Sequence, residues 1–453
     1  MKNLFKGKIM YGKKSIILLS TVVISATSSL IANEELIKEE SSSVIIFTDI
    51  QEDVNQEKVP FDKTTLPANV KFENEKEALD TDISILIQET GLPEESVRKT
   101  IAFQKSFRIY ANKLLTQYPD KISSIYVEKL PAIRGHIKFV DEVPEELNLS
   151  IKELNQEDKI ILTGNGKVSF KDNNKRAVAL SNTLAKMKYK NVVTFFDPIK
   201  NVIQIEIKIP TNEKAPKKEN LMIPLQKGLE ISSLKSNAKN LTEKDIELTI
   251  IRGEGAIVTE DYSRGGSLVR DDGFSECTMG WSVSGPYGDG IITAGHCNGI
   301  NQLQDHSNGN VYDTVWRSQV YNLSGDVEYH TTPISGELDD FHADSTSIRD
   351  VIDIQSTNTM VGSYVCLYGR FSNVRTCNNV VTAINVTVNA DGTTQVGNLA
   401  RTNNTSSIPG DSGGGWSWNN TAWGVNHGHD SAGNGYFTPV QVAESALGVT
   451  IKR

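Results

Sequence analysis

The chain has 453 residues, 47 Lys+Arg against 56 Asp+Glu for a formal net charge of −9, and 4 cysteines. That length is more than one small core needs and allows about three units. The acidic balance speaks against a nucleic-acid partner, and beyond the N-terminus no apolar run approaches the length of a membrane span.

Residues 1–32 read as a signal peptide. Lys2, Lys6, Lys8, Lys13 and Lys14 form a basic head, an apolar run covers 16–24, and small residues around Ser28 and Ala32 offer cleavage points. The run is too short for a retained anchor, so a secreted protein without stable membrane association after cleavage is expected. Residues 33–75 are acidic, carry Pro60 and Pro67 and hold no period, and they read as a flexible lead-in.

Regular structure is expected from Pro93, where Glu94 and Glu95 follow in the first turn of a helix. Phe103, Phe107, Tyr110, Leu114 and Tyr118 recur at three and four until Pro119 ends the face. Stretches 124–127 and 134–140 look like strands. A second unit repeats the pattern with a helix over 175–187, a strand over 192–196 and a turn over 197–201. Ile203, Ile205, Ile207 and Ile209 then alternate with Gln204, Glu206 and Lys208, the pattern of a half-buried strand. Lys214, Pro216, Lys217 and Lys218 mark 211–240 as a linker, and 246–251 reads as one more strand.

Near residue 250 the composition changes. Residues 251–453 hold 10 Lys+Arg against 21 Asp+Glu, a net of −11, whereas the remainder holds 37 against 35, a net of +2. The opposite balance predicts that the two parts dock partly by charge attraction, weakening in salt. Beyond 250 short alternating strands are split by Gly, Asn, Asp and Ser, which suits an all-β sandwich or barrel. One helix is expected over 439–447. Nothing in 33–250 suggests chemistry of its own; a separate binding or adhesive domain is the rival reading of that part.

Three stretches beyond 250 carry chemistry. In Gly410-Asp411-Ser412-Gly413-Gly414 the glycines allow a sharp turn that exposes the Ser412 hydroxyl. The same turn can aim the N–H groups of Gly410 and Ser412 at one point, as a tetrahedral oxyanion requires. Serine needs a base oriented by a third group. Thr293-Ala294-Gly295-His296-Cys297 supplies the imidazole, and Ser324-Gly325-Asp326-Val327 a carboxylate. The turn also fits the nucleophile elbow of an α/β-hydrolase, but that elbow must lead into a helix and precede its acid and base. Here the chain continues through Trp416, Trp418 and Trp423 in strand-turn-strand chemistry.

With these motifs the sequence resembles the trypsin/chymotrypsin superfamily, in the secreted bacterial branch typified by streptogrisins and α-lytic protease, over residues 264–453. The resemblance implies two antiparallel six-stranded β-barrels with a short C-terminal helix over 251–453. It also implies an α+β pro-region over 76–250, built of helix-plus-hairpin units and a linker. That pro-region would act as an intramolecular partner and be removed, with processing between 251 and 266. The same resemblance pairs Cys277 with Cys297 and Cys366 with Cys377, and an even cysteine count after a signal peptide suits disulfides.

The implied function is a monomeric endopeptidase, made as a zymogen and acting on peptide and protein substrates. Ser412 attacks, His296 moves the proton and Asp326 holds the imidazole. Asp326 is preferred over Asp313, Asp339, Asp340 and Asp344 because it stands directly before a buried strand. His306, His330 and His342 read as loop or surface residues. No metal or organic cofactor is required, since His427-Gly428-His429-Asp430 lacks a third ligand at finger or helical spacing. The alternative is a catalytically silent secreted binding protein on the same fold.

Specificity is expected to lie with Ser406, Asn426, His427 and His429. Ser406 stands six before the nucleophile, at the base of the family's pocket, and its lack of charge disfavours a bound Lys or Arg. Imidazoles near a bound carboxylate favour an acidic side chain. A pocket for small or apolar residues remains the other reading.

Overall fold

A computed structural model describes residues 70–147, 159–166, 168–209, 216–231, 245–252, 258–259, 267–271, 274–304, 311–332, 339–389 and 394–453. The expected signal peptide, residues 33–69 of the lead-in, His306 and most of the stretch 251–266 assigned to processing lie outside the described residues.

The first helix, α1 (Glu75–Thr90), precedes the one read from Pro93. Asn74 caps it: its side chain accepts the N–H groups of Lys76 and Glu77, and the Glu77 carboxylate accepts the Asn74 N–H. Gly91 closes it in the left-handed region at φ 68°. The next helix, α2 (Glu94–Gln117), starts after Pro93 as the sequence predicts. Its Phe107, Ala111 and Leu114 pack on a sheet of strands Ile122–Val127, Gly135–Phe139 and Ile160–Thr163.

The second unit follows its pattern. Ser169 caps α3 (Phe170–Lys186) by accepting the Asp172 N–H. Strands Val192–Asp197 and Val202–Ile209 form a hairpin whose turn is held by Asp197 Oδ1, which accepts the N–H groups of Ile199 and Lys200. Part of the supposed linker 211–240 is instead a helix, α4 (Lys218–Ile231). The residues that suggested a linker, Lys214, Pro216, Lys217 and Lys218, stand before it or at its first position, whereas Leu221, Met222, Leu225 and Leu229 lie on one side and are buried in the core. Burial of that face outweighs the N–H lost at Pro224.

The second half is mostly β. A four-stranded sheet (Phe274–Thr278, Leu268–Asp271, Gln302–Gln304, Val311–Asp313) precedes a five-stranded one (Val315–Asn322, Gly325–Thr331, Gly288–Thr293, Trp281–Gly285, Thr450–Ile451). An eleven-stranded sheet then runs Tyr364–Gly369, Gly415–Trp418, Thr421–His429, Gly435–Pro439, Gln395–Thr402 and Val374–Asn389. It continues into upstream strands Val192–Asp197, Val202–Ile209 and Ile246–Arg252, with Thr387 opposite Thr194 at the joint. The short strands Asp353–Ile354 and Val258–Thr259 both pair with Thr421–His429. Two disulfides join Cys277 to Cys297 and Cys366 to Cys377. The C-terminal helix is α5 (Val440–Leu447).

One hydrophobic cluster spans both halves, taking Leu86, Leu180 and Leu225 from upstream with Val365, Trp416 and Trp423 from downstream. The ionic contacts across this joint run against the overall charge balance. Asp82 of α1 lies between Arg349 and Arg375, at 3.0 and 2.8 Å, and also accepts the Asn419 N–H. Glu73 meets Arg349, and Glu206 meets Arg401. Glu89 accepts the N–H groups of Cys377 and Asn378. Acids upstream thus meet arginines downstream, the reverse of the polarity that the net charges predict.

Candidate active site

Strand Gly288–Thr293 carries Ile291 and Ile292 into the core and ends one turn before His296. Gly295 sits where a Cβ would strike the backbone of Val320 and Val327, so only glycine lets the turn lie against strand Gly325–Thr331. The disulfide at Cys297 ties the turn to Phe274–Thr278.

Around Ser412 the chain is fixed at every step. The Asp411 carboxylate is buried and accepts the N–H groups of Ile408, Phe371 and Ser372. Gly410 and Gly413 adopt φ values of 106° and 83°, open to glycine at no steric cost. The Asp411 N–H is spent on the Ile408 carbonyl and the Gly413 N–H on that of Asn426. Among the described residues the Gly410 N–H has no partner.

These turns bring three side chains into line. His296 Nε2 stands 2.8 Å from Ser412 Oγ, and His296 Nδ1 stands 2.6 Å from Asp326 Oδ2. The His296 backbone N–H donates to Asp326 Oδ1 at 2.9 Å. Thr438 holds Asp326 from behind, accepting its N–H and donating to its carbonyl oxygen. Nothing in the sequence marked Thr438 for that task. Burial opposes the charge on Asp326, but the His296 and His427 imidazoles outweigh it and hold the carboxyl well below the usual carboxylate range.

The four residues expected to govern specificity separate. Ser406 Oγ lies 2.7 Å from Thr376 Oγ1. Asn426 is fully buried: its Nδ2 donates to Ser407 Oγ and to the Asp411 carbonyl, and its Oδ1 accepts from Trp416 Nε1. His427 turns to Asp326, with Nδ1 2.6 Å from its Oδ2. His429 is half-buried, and its backbone pairs with Val258. His330, read as a loop or surface residue, is fully buried in strand Gly325–Thr331 with Nε2 3.0 Å from a Glu328 oxygen. Strand burial on both faces overrides the polarity that suggested exposure.

No family model matches the chain. It is 32% identical over 195 residues to glutamyl endopeptidase 2 of Streptomyces griseus, a match covering 41% of this chain and 98% of that protein. Streptogrisin-A of the same organism is 29% identical over 220 residues, covering 48% of this chain and 68% of that one. Among solved structures, a glutamic acid specific serine protease that utilizes a histidine triad in substrate binding is 28% identical with a TM-score of 0.35. It covers 41% of this chain and 98% of its own.

Proposed function

The chain belongs to the streptogrisin and α-lytic protease-like branch of the trypsin-fold serine proteases, and from that premise we propose that Ser412, His296 and Asp326 are the catalytic residues. The observation that carries this reading is the unbroken contact from Ser412 Oγ through both nitrogens of His296 to Asp326 Oδ2. As the hydroxyl oxygen bonds to the peptide carbonyl carbon, its proton passes to His296 Nε2. His296 then gives that proton to the leaving amine, and a water hydrolyses the acyl-enzyme by the same route. The developing oxyanion is taken by the N–H groups of Gly410 and Ser412.

The finer features follow from the family and the sequence. Residues 1–32 direct secretion, 76–250 act as a pro-region, and residues 251–453 form the protease domain with two six-stranded barrels, working as a monomer. The protease cleaves after acidic residues. That preference is supported by the glutamyl endopeptidase relative and by the uncharged base at Ser406, with His429 as the imidazole beside a bound carboxylate. His427, engaged by Asp326, is left out of the pocket.

The test is Ser412→Ala in the secreted chain with a mixed peptide library at neutral pH. Wild type is expected to cut after Glu and Asp, and the variant to lose roughly a millionfold in kcat. Near-normal turnover by the variant would overturn the assignment, and cuts after Leu, Ala or Phe the acidic pocket.

A further inference from the structure

We propose that His427 is a positioning residue for the reaction, a second imidazole that fixes the orientation and basicity of Asp326. This rests on reading Ser412, His296 and Asp326 as the triad. An ionised carboxylate offers acceptors only. Asp326 Oδ1 takes the His296 backbone N–H, and Oδ2 takes the Nδ1 atoms of both His296 and His427, each at 2.6 Å. Both rings must therefore carry their hydrogen on Nδ1. For His296 that leaves the Nε2 lone pair facing Ser412, the tautomer a general base needs.

For His427 it leaves Nε2 buried and without a hydrogen-bond partner, on a ring only 1% exposed. His427 thus offers one N–H, directed at Oδ2. The two rings meet it at right angles, their centroids 5.6 Å apart, so the carboxylate is held from two directions at once. Rotation of Asp326 would break both contacts together.

The groups around His427 bear on pH. Asp326 faces it from strand Gly325–Thr331, and His296 from the turn after Gly288–Thr293. His429 lies two residues along its own strand, and Tyr321 stands on His296 with ring centroids 6.0 Å apart. By sharing the negative charge of Oδ2, the His427 N–H reduces what Asp326 can offer a protonated His296. Its loss leaves the carboxylate more basic toward that imidazolium, so His296 protonates at higher pH.

Steady-state kinetics of His427→Ala and His427→Asn, in the secreted protein, test this. The alanine variant is expected to lose roughly tenfold to a hundredfold in kcat, as for one hydrogen bond to a charged group, with KM within about twofold. The acid limb of its kcat/KM profile should move up by about half a pH unit. Asparagine, whose amide can donate to Oδ2, should recover most of the rate and the wild-type limb. Wild-type kcat in the alanine variant would overturn the proposal. So would equal losses in both variants with an unmoved acid limb, which mark a packing role. Should alanine fail to fold, the asparagine variant decides alone: wild-type rate and limb support the donor role, and a large kcat loss overturns it. Loss of the triad reading itself would appear separately, as turnover in Ser412→Ala.

Discussion

Asp326 and Asp82 are two aspartates with no exposed surface, each gripped by two basic side chains and each held below the usual carboxylate range. In both cases burial opposes the charge and the basic partners overcome it. The partners set the difference. Asp326 is met by two imidazole N–H groups, whereas Asp82 is met by two guanidiniums, which stay charged throughout. Burial alone makes neither a working group. A carboxylate paired with groups that can release a proton can take part in chemistry, whereas one paired with permanent cations can only hold surfaces together. Asp82 does so across 267 and 293 residues of sequence, joining α1 to the second half.

Substitution at the two aspartates should separate these roles. Asp326→Asn is expected to reduce kcat by roughly ten-thousandfold, because the imidazole loses its correct tautomer. Its thermal midpoint should fall as well, because the ionised carboxylate also stabilises the fold, but the rate of the folded variant decides the assignment, and a retained rate would break the distinction. Asp82→Asn should act the other way round. Removing one member of a buried ionic cluster leaves Arg375 without its ion-pair partner and Arg349 with Glu73 alone, and costs about 3–5 kcal/mol of stability. Denaturant unfolding of the full chain, carrying Ser412→Ala to prevent self-cleavage, would measure it.

Acid offers a milder probe. Both aspartates have folded values below the unfolded one of about 3.9, so their stabilisation is complete above that value. It declines as pH falls below about 4 and is gone once the folded values are passed. Unfolding curves between pH 6 and pH 3 should therefore flatten above pH 5 and fall steeply below 4. Salt is the smallest lever. The charge balance of the two halves predicts docking that weakens with ionic strength, but the contacts at Asp82 are dry and little screened. Raising NaCl from about 0.1 to 1 M should shift the unfolding midpoint by only a degree or two.

Legibility followed the range of the interaction that fixes each element. The hairpin through Ile203–Ile209 could be read because alternation is local, and α2 because Pro93 and its aromatic face are local as well. The site motifs were readable for the same reason: Gly410, Gly413 and Gly295 are required by turns within a few residues of the chemistry. Asp326 stood out by the strand behind it. Helix α1 escaped although Asn74 and Glu77 spell a capping box, because its most telling residue, Asp82, reads as a surface acid until Arg349 and Arg375 are known to face it. Helix α4 is hidden because Lys214, Pro216 and Lys217 just before it set the reading of a stretch whose apolar side begins only at Leu221. His427 was read as a pocket residue because its partner lies 101 residues away on another strand.

The pairing of Val258–Thr259 with Gly428 and His429 has a consequence for binding at that edge. These two residues directly follow His427, whose side chain meets Asp326. A strand tethered to its own binding edge behaves as a ligand at an effective concentration on the order of millimolar, whatever the dilution of the protein. A free peptide adding to the same edge must outcompete that tethered strand. Its apparent affinity is lowered by the ratio of the effective concentration to the strand's own dissociation constant. Because the strand is covalently continuous on both sides, a single cut leaves it attached to one part of the chain, and the handicap lifts only when the strand itself leaves the edge.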